Sequence, residues 1–245
     1  MKKHIPNAIT CLNLFTGCVA VYIIFQASPG DLSSLEFAAY LVGLAAVFDF
    51  LDGLVARVLH AYSEIGKQLD SLADMVSFGV VPGAILFKLM QKSALADPNT
   101  TLVEAEIMPF AAFLIIIFSA LRLAKFNIDT RQTTSFIGVP TPANTILIAS
   151  LPLILADDRF NLSGIILNYY VLLGLTLVMS FLMIAEVPLF ALKFRNLSWK
   201  ENAKPFIFIL LVLPLLFILK FAAIPVIIAL YVLLSLVPIA KTDNS

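Results

Sequence analysis

The sequence predicts an all-α polytopic membrane bundle of about eight transmembrane helices, with the N- and C-termini both cytoplasmic. Composition is the first reason: 60% of the 245 residues are hydrophobic and 13% are charged, at a mean hydropathy of +0.98. Soluble domains average roughly 45–50% apolar and about 25% charged residues, so the chain belongs in a bilayer. The second reason is the recurrence of apolar runs near the ~20 residues that cross a bilayer. Their cores lie near 8–27, 36–57, 66–90, 108–126, 140–156, 167–192, 205–219 and 222–240. The third is charge asymmetry. With the N-terminus inside and the runs alternating, twelve of the sixteen Lys and Arg fall on the cytoplasmic side, leaving Lys88, Lys92, Arg159 and Lys220 outside.

Lys2-Lys3 precede the first run, but no small-residue cleavage site follows, so a retained first span is expected rather than a removed leader. That span opens Ile5-Pro6-Asn7-Ala8-Ile9-Thr10. Asn7 and Thr10 either hydrogen-bond a nucleotide or phosphate, or cap the helix. Cys11 and Cys18 are separated by ~10 Å of helix, too far for a disulfide. His4 and His60 are too few and scattered for a zinc site. Between spans three and four, 91–107 is the longest outer stretch, with a turn at Pro98-Asn99. Gly138-Val-Pro-Thr-Pro142 makes a rigid entry to span five. Tyr169 and Tyr170 open span six at the outer interface, where amphipathic rings are favoured, and Glu186 reads as a buried acid inside it, beside Pro188. Trp199 reads as an interfacial anchor.

The final apolar region, 205–240, holds one charge, Lys220. As a single helix it would run ~54 Å against a ~30 Å hydrocarbon core, so a helical hairpin turning near Lys220 is expected. Small residues such as Gly43, Ala45, Gly79 and Gly83 are expected at helix contacts. There is no internal repeat, low-complexity tract or soluble domain, and 1–245 reads as one integral membrane domain. A formal net charge of zero gives no basic stripe for nucleic acid.

Spans two and three break the rule that membrane helices avoid charge. From Asp49 the chain reads DFLDGLVARVLHAYSEIGKQLDSLAD. Each ionisable residue at a helix centre costs about 2.5–3.5 kcal/mol on insertion scales, so four carboxylates need compensation. At about 100° per residue, Asp49, Asp52, Gly53 and Ala56 share one narrow helix face, and Gly66, Asp70 and Asp74 line one face of the next. Counting from the short link between the helices, Asp49 and Asp74 lie ~12 Å deep, and Asp52 and Asp70 ~6–7 Å. Two carboxylates from each helix therefore converge in two layers. All-oxygen donors favour hard divalent cations over zinc or copper. Two such ions would neutralise four aspartates and suit in-line displacement at phosphorus. Gly53 and Ala56 leave room for a phosphate and nucleotide, and Arg57 can pair with phosphate. Intramembrane acids also mark cation transporters, which is the reading from another class.

Asp49-x-x-Asp52-Gly53-x-x-Ala56-Arg57, eight residues, then Gly66-x-x-x-Asp70-x-x-x-Asp74 resembles the CDP-alcohol phosphotransferase motif at every defined position. The resemblance implies a six-helix core, a two-metal site of Mg²⁺ or Mn²⁺ (with Ca²⁺ as a non-productive ligand), and a homodimer. It further implies Asp49, Asp52, Asp70 and Asp74 as metal ligands, Asp74 as the base, and Gly53, Ala56, Arg57 and Gly66 around the CDP. Further segments resemble the bacterial membrane-embedded phosphatidylserine synthase branch. These are the opening of span one, Asp70-Ser-Leu-Ala-Asp-Met-Val-Ser-Phe-Gly79, Ser119-Ala-Leu-Arg-Leu-Ala-Lys-Phe-Asn127 and Phe136-Ile-Gly-Val-Pro-Thr-Pro-Ala143. That branch implies CDP-diacylglycerol and L-serine as substrates, in the inner membrane with the site facing the cytoplasm. A glycerol 3-phosphate or inositol phosphate acceptor is the alternative within the family. Arg122, Lys125 and Arg131 form a basic cluster able to receive phosphate or a serine carboxylate, although the positive-inside rule alone predicts them. Arg122, Lys125 and Asn127 are the acceptor-side candidates.

Overall fold

A computed structural model describes residues 4–28, 30–129, 136–190 and 199–236, with side chains at 136 and 199–204 excepted. Five helical stretches are long and apolar enough to cross a membrane: His4–Gln26, Leu32–Val58, Glu64–Ala96, Leu102–Ile128 and Pro205–Leu236. Thr141–Asp157 and Tyr169–Ile184 are shorter and equally apolar. The protein is a polytopic helical membrane protein.

Helix α1 (His4–Gln26) lies along α2 (Leu32–Val58) in the most extensive pairing of the fold. The third stretch is composite: α3 (Glu64–Asp74), a π-helical turn (Met75–Val80) and α4 (Val81–Ala96). Helix α4 is the central element, touching α1 and the later helices α6, α7 and α9, with Ile85, Leu86, Leu89 and Met90 fully buried. The fourth stretch joins α5 (Leu102–Ile107), a 3-10 turn (Met108–Ala112) and α6 (Phe113–Ile128). Then come β1 (Phe136–Ile137), α7 (Thr141–Asp157), α8 (Ser163–Ile166), α9 (Tyr169–Ile184) and β2 (Pro188–Leu189). Helix α10 (Trp199–Leu219), a 3-10 turn (Lys220–Ala222) and α11 (Ala223–Leu236) complete the order.

The expected C-terminal hairpin is present. Lys220 takes a positive φ of 50°, and Phe208 of α10 meets Tyr231 of α11 with ring centroids 5.6 Å apart. The two rings stand almost equally far from Lys220, as antiparallel helices require. Two of the small residues lie at close contacts: a Cβ added at Gly83 would collide with Ile116, and one at Gly79 would meet Ser119 Cβ at 3.2 Å. Ala45 is also buried, whereas Gly43 is exposed and a Cβ added there would meet no atom within 4 Å.

The turn expected at Pro98-Asn99 is present, with α4 running on to Ala96 before it and α5 beginning at Leu102 after it. Thr101 accepts from the Glu104 N–H, and Glu104 returns a bond to the Thr101 backbone, a reciprocal cap that nucleates the helix. Span six ends earlier than expected, at Ile184. Ala185 is extended (φ −62°, ψ 143°), and the chain then enters β2, which pairs antiparallel with β1. Pro188 biases its predecessor away from the helix. Glu186 therefore stands outside any helix, with its side chain 68% exposed and 3.6 Å from Lys125 Nζ.

At the end of the bundle away from the aspartates, Lys88 donates to the Ala27 carbonyl and Lys92 to that of Gly30, at 3.1 Å for the latter. Asp31 caps α2 by accepting from the N–H groups of Ser33 and Ser34, and from both hydroxyls. These donors, the Ser34 hydroxyl foremost, hold its carboxyl down to about 2. A carboxylate depressed on folding stabilises above its unfolded value, near 3.9, and the benefit is lost as pH falls towards 2. Asp31→Ala is therefore expected to lower the melting temperature in detergent at pH 6, with the gap to wild type narrowing towards pH 3. A gap independent of pH would exclude the ionic cap.

Candidate active site

Three helices build the site. Asp49 and Asp52 come from the last third of α2, Asp70 and Asp74 from α3, and α1 lies against both. A turn with His60 at φ 50° reverses the chain after α2. Ser63 then starts α3 by accepting the Gly66 N–H at 3.0 Å. This short connection keeps the two aspartate-bearing helices close in sequence, and α1, which packs against each of them, brings them together.

Asp49, Asp70 and Asp74 each place a carboxylate oxygen within 4.8 Å of the others. Asp52 stands apart from this trio. It is buried, and its Oδ2 lies 2.6 Å from the Thr10 hydroxyl. Three of the four acids thus share one tight cluster, and the fourth carboxylate is held by α1. Asn13, fully buried one turn beyond Thr10, donates from Nδ2 to Asp74 Oδ1 at 3.3 Å. Sequence reasoning missed Asn13. The available signal was its spacing, since Asn7, Thr10 and Asn13 recur every three residues along one face of an otherwise apolar span.

Beside the cluster is a cavity of about 320 Å³. Its walls are Pro6, Asn7 and Thr10 of α1, Asp52, Gly53 and Ala56 of α2, the Ala61-Tyr62-Ser63 turn, and Gly66, Lys67 and Asp70 of α3. The glycines differ in purpose. A Cβ at Gly66 would sit 2.9 Å from both Asn7 Oδ1 and Ser63 Oγ, so this glycine permits the close approach of α3 to α1. A Cβ at Gly53 would meet no atom within 4 Å, so no described protein atom fills the space beside it. Gly53→Ala is accordingly expected to leave the melting temperature unchanged or slightly raised, since Gly in a helix costs roughly 0.5–1 kcal/mol against Ala. The same variant should bind nucleotide substrate more weakly. A fall in melting temperature would show instead that Gly53 packs against protein.

Several candidates lie away from this cavity. Arg57 is exposed and folds back along its own helix, donating from Nε to the Gly53 carbonyl at 3.0 Å. Arg122 is buried on α6, with its guanidinium 5.3 Å from the Phe126 ring centre. It is not the open basic group expected at a membrane surface. Lys125 pairs with Glu186. Asn127 donates to Ser71 Oγ at 2.8 Å and accepts from Lys67 Nζ at 3.3 Å, tying α6 to α3. Arg131 and the side chain of Trp199 lie outside the described residues.

The donor set suits a hard divalent cation: three clustered carboxylates, all oxygen, with the buried Oδ1 of neighbouring Asn13 lacking a hydrogen-bond partner among the described residues. Asp49, Asp70 and Asp74 are the residues placed to hold one.

The CDP-alcohol phosphatidyltransferase family model matches residues 3–182. A Helicobacter pylori protein named CDP-diacylglycerol–serine O-phosphatidyltransferase is 31% identical over 241 residues, covering 95% of this chain and 89% of its own length. A Bacillus subtilis protein of the same name is 29% identical over 175 residues, covering 68% of this chain and 88% of its own length. One from Methanocaldococcus jannaschii is 33% identical over 144 residues, covering 59% and 58%. The match extends through the aspartate helices and the cavity to most of α9, and with it the chain belongs to the CDP-alcohol phosphatidyltransferase family.

Proposed function

We propose that this protein transfers the phosphatidyl group of CDP-diacylglycerol to the hydroxyl of L-serine, giving phosphatidylserine and CMP. The observation that carries the proposal is the meeting of Asp49, Asp70 and Asp74 within 4.8 Å, beside a cavity walled by Gly53 and Ala56. The names of the relatives support serine as the acceptor.

In this reading the CDP moiety enters along Gly53, Ala56 and Gly66, with Asn7 and Thr10 on the opposite wall. Arg57 meets phosphate at the rim by swinging away from the Gly53 carbonyl. The acyl chains remain in lipid. Asp49, Asp52, Asp70 and Asp74 hold two divalent ions, Mg²⁺ or Mn²⁺, which when bound supply charge neutralisation at the transferring phosphate. Asp74 takes the serine hydroxyl proton as general base. The serine oxygen then forms a bond to the phosphorus that carries diacylglycerol, and the bond from that phosphorus to the CMP oxygen breaks. The acceptor side is assigned to the end of α6, with Arg122 for the serine carboxylate, while Lys125 and Asn127 hold that end in place.

Charge asymmetry supports a cytoplasmic site in an inner membrane, with both termini on that side and 1–245 forming one domain. The family resemblance brings a homodimer into the proposal. The test is CMP release by purified protein supplied with CDP-diacylglycerol, Mn²⁺ and one acceptor at a time. Serine is expected to give CMP and phosphatidylserine. Release with glycerol 3-phosphate or inositol phosphate but not serine would overturn the acceptor and leave the family membership intact.

A further inference from the structure

We infer that Asn13 is the positioning residue for Asp74. This rests on the proposed role of Asp74 as metal ligand and base. Asn13 has no exposed surface, in the middle of an apolar span where leucine would be the ordinary residue. Its Nδ2 donates to Asp74 Oδ1 at 3.3 Å. The amide orientation follows from chemistry, since an ionised carboxylate accepts only, and a reversed amide would set oxygen against oxygen.

Asp74 needs such a tether because of where it stands. It is the last residue of α3 and adjoins the π-helical turn. The χ2 torsion of an aspartate is broad and nearly two-fold, so its own helix does not fix the carboxylate plane. A hydrogen bond to one oxygen fixes that plane and leaves the other free to work, as outer-shell partners of metal ligands do.

Asn13 is itself held in place. Its backbone carbonyl accepts from Ser77 Oγ at 3.1 Å, inside the π-helical turn. Gly17, one turn further along α1, lets Ser77 come so close that any Cβ there would collide with it. The same α1 face thus reaches Asp52 through Thr10 and Asp74 through Asn13. Asn13 Oδ1 is buried and has no hydrogen-bond partner among the described residues.

The test separates positioning from packing by a double-mutant cycle. Asn13→Leu keeps the number and branching of the side-chain heavy atoms, adds some bulk and removes the donor. Mn²⁺ affinity is read by electron paramagnetic resonance on protein in detergent, with CMP release and melting temperature alongside. Asn13→Leu is expected to weaken Mn²⁺ binding by about 10–100-fold and to lower turnover while the melting temperature holds. In an Asp74→Ala background, the same substitution should leave Mn²⁺ affinity where Asp74→Ala alone puts it. An equal loss in both backgrounds would make Asn13 a packing residue and overturn the inference, as would unchanged affinity in the single variant. Should Asp74→Ala itself leave Mn²⁺ binding untouched, the metal role of Asp74 fails, a result distinct from an Asn13 effect that persists without Asp74. Asn13→Ser, smaller but still a donor, should recover part of the affinity if the Leu variant proves unstable, and no recovery would overturn the inference.

Discussion

Asp74→Asn is expected to cut CMP release by about 10²–10⁴-fold, the range over which a positioned general base contributes, while the protein still purifies as a folded species. The replacement keeps the size of the side chain and its capacity to accept from Asn13 Nδ2 at the Oδ1 position. What it removes is proton affinity and one negative charge within a cluster whose oxygens lie within 4.8 Å. Two consequences separate the base from a purely electrostatic role. Asp49→Asn, which removes an equal charge from the same trio, should respond more strongly to raised Mn²⁺ concentration than Asp74→Asn does. And excess serine should not rescue Asp74→Asn. Turnover near the wild-type value in Asp74→Asn would exclude it as the base.

The second large effect concerns the metal. Stripping the protein with a chelator is expected to abolish CMP release, and added Mn²⁺ or Mg²⁺ to restore it. Physical reasoning also gives this prediction a stability readout. Two like unit charges 4.8 Å apart repel by about 3.5 kcal/mol at an effective dielectric constant near 20, and the trio contains three such pairs if all are ionised. Metal at a hundred times its dissociation constant adds ~2.7 kcal/mol of stability. The wild type should therefore melt higher with Mn²⁺ than with chelator. Asp49→Asn should reverse the comparison, melting above wild type in chelator and below it in Mn²⁺. Identical melting with and without metal in both proteins, together with full turnover in chelator, would exclude the metal site.

Much of the fold was legible because hydropathy reports a bilayer directly. Each apolar run contains a helix among the described residues, and Lys220, one charge in a long apolar region, marked the hairpin. The aspartate faces were legible because helical phase is arithmetic. What phase could not give was distance across helices. It treated Asp52 as equivalent to the other three, whereas Asp52 alone accepts from Thr10 of α1 and lies outside the tight trio. Asn13 was invisible for a related reason, since its importance comes from Asp74, sixty-one residues away in sequence. Glu186 was misplaced because hydropathy runs on past Ile184, although Pro188 and the β1–β2 ladder end the helix there. Arg122 was expected at the surface because its neighbours in sequence are basic, yet the face of α6 on which it lies turns inward.

The π-helical turn between α3 and α4 has a bearing on how such a protein can change over time. A π turn is an α-helix with one residue too many, and one residue corresponds to about 100° of rotation. The strand of chain before Met75 carries Asp70 and Asp74, and that after Val80 carries the central core side chains Ile85, Leu86 and Leu89. The extra residue acts as a phase shifter between them, and the Thr145 hydroxyl, 2.7 Å from the Phe78 carbonyl, supports the backbone where the helical register is broken. Removing one residue from Met75–Val80 would rotate the acids away from Asp49 while leaving every side chain chemically intact. The angular setting of the chemistry and that of the scaffold are thus separately adjustable in a single continuous helix.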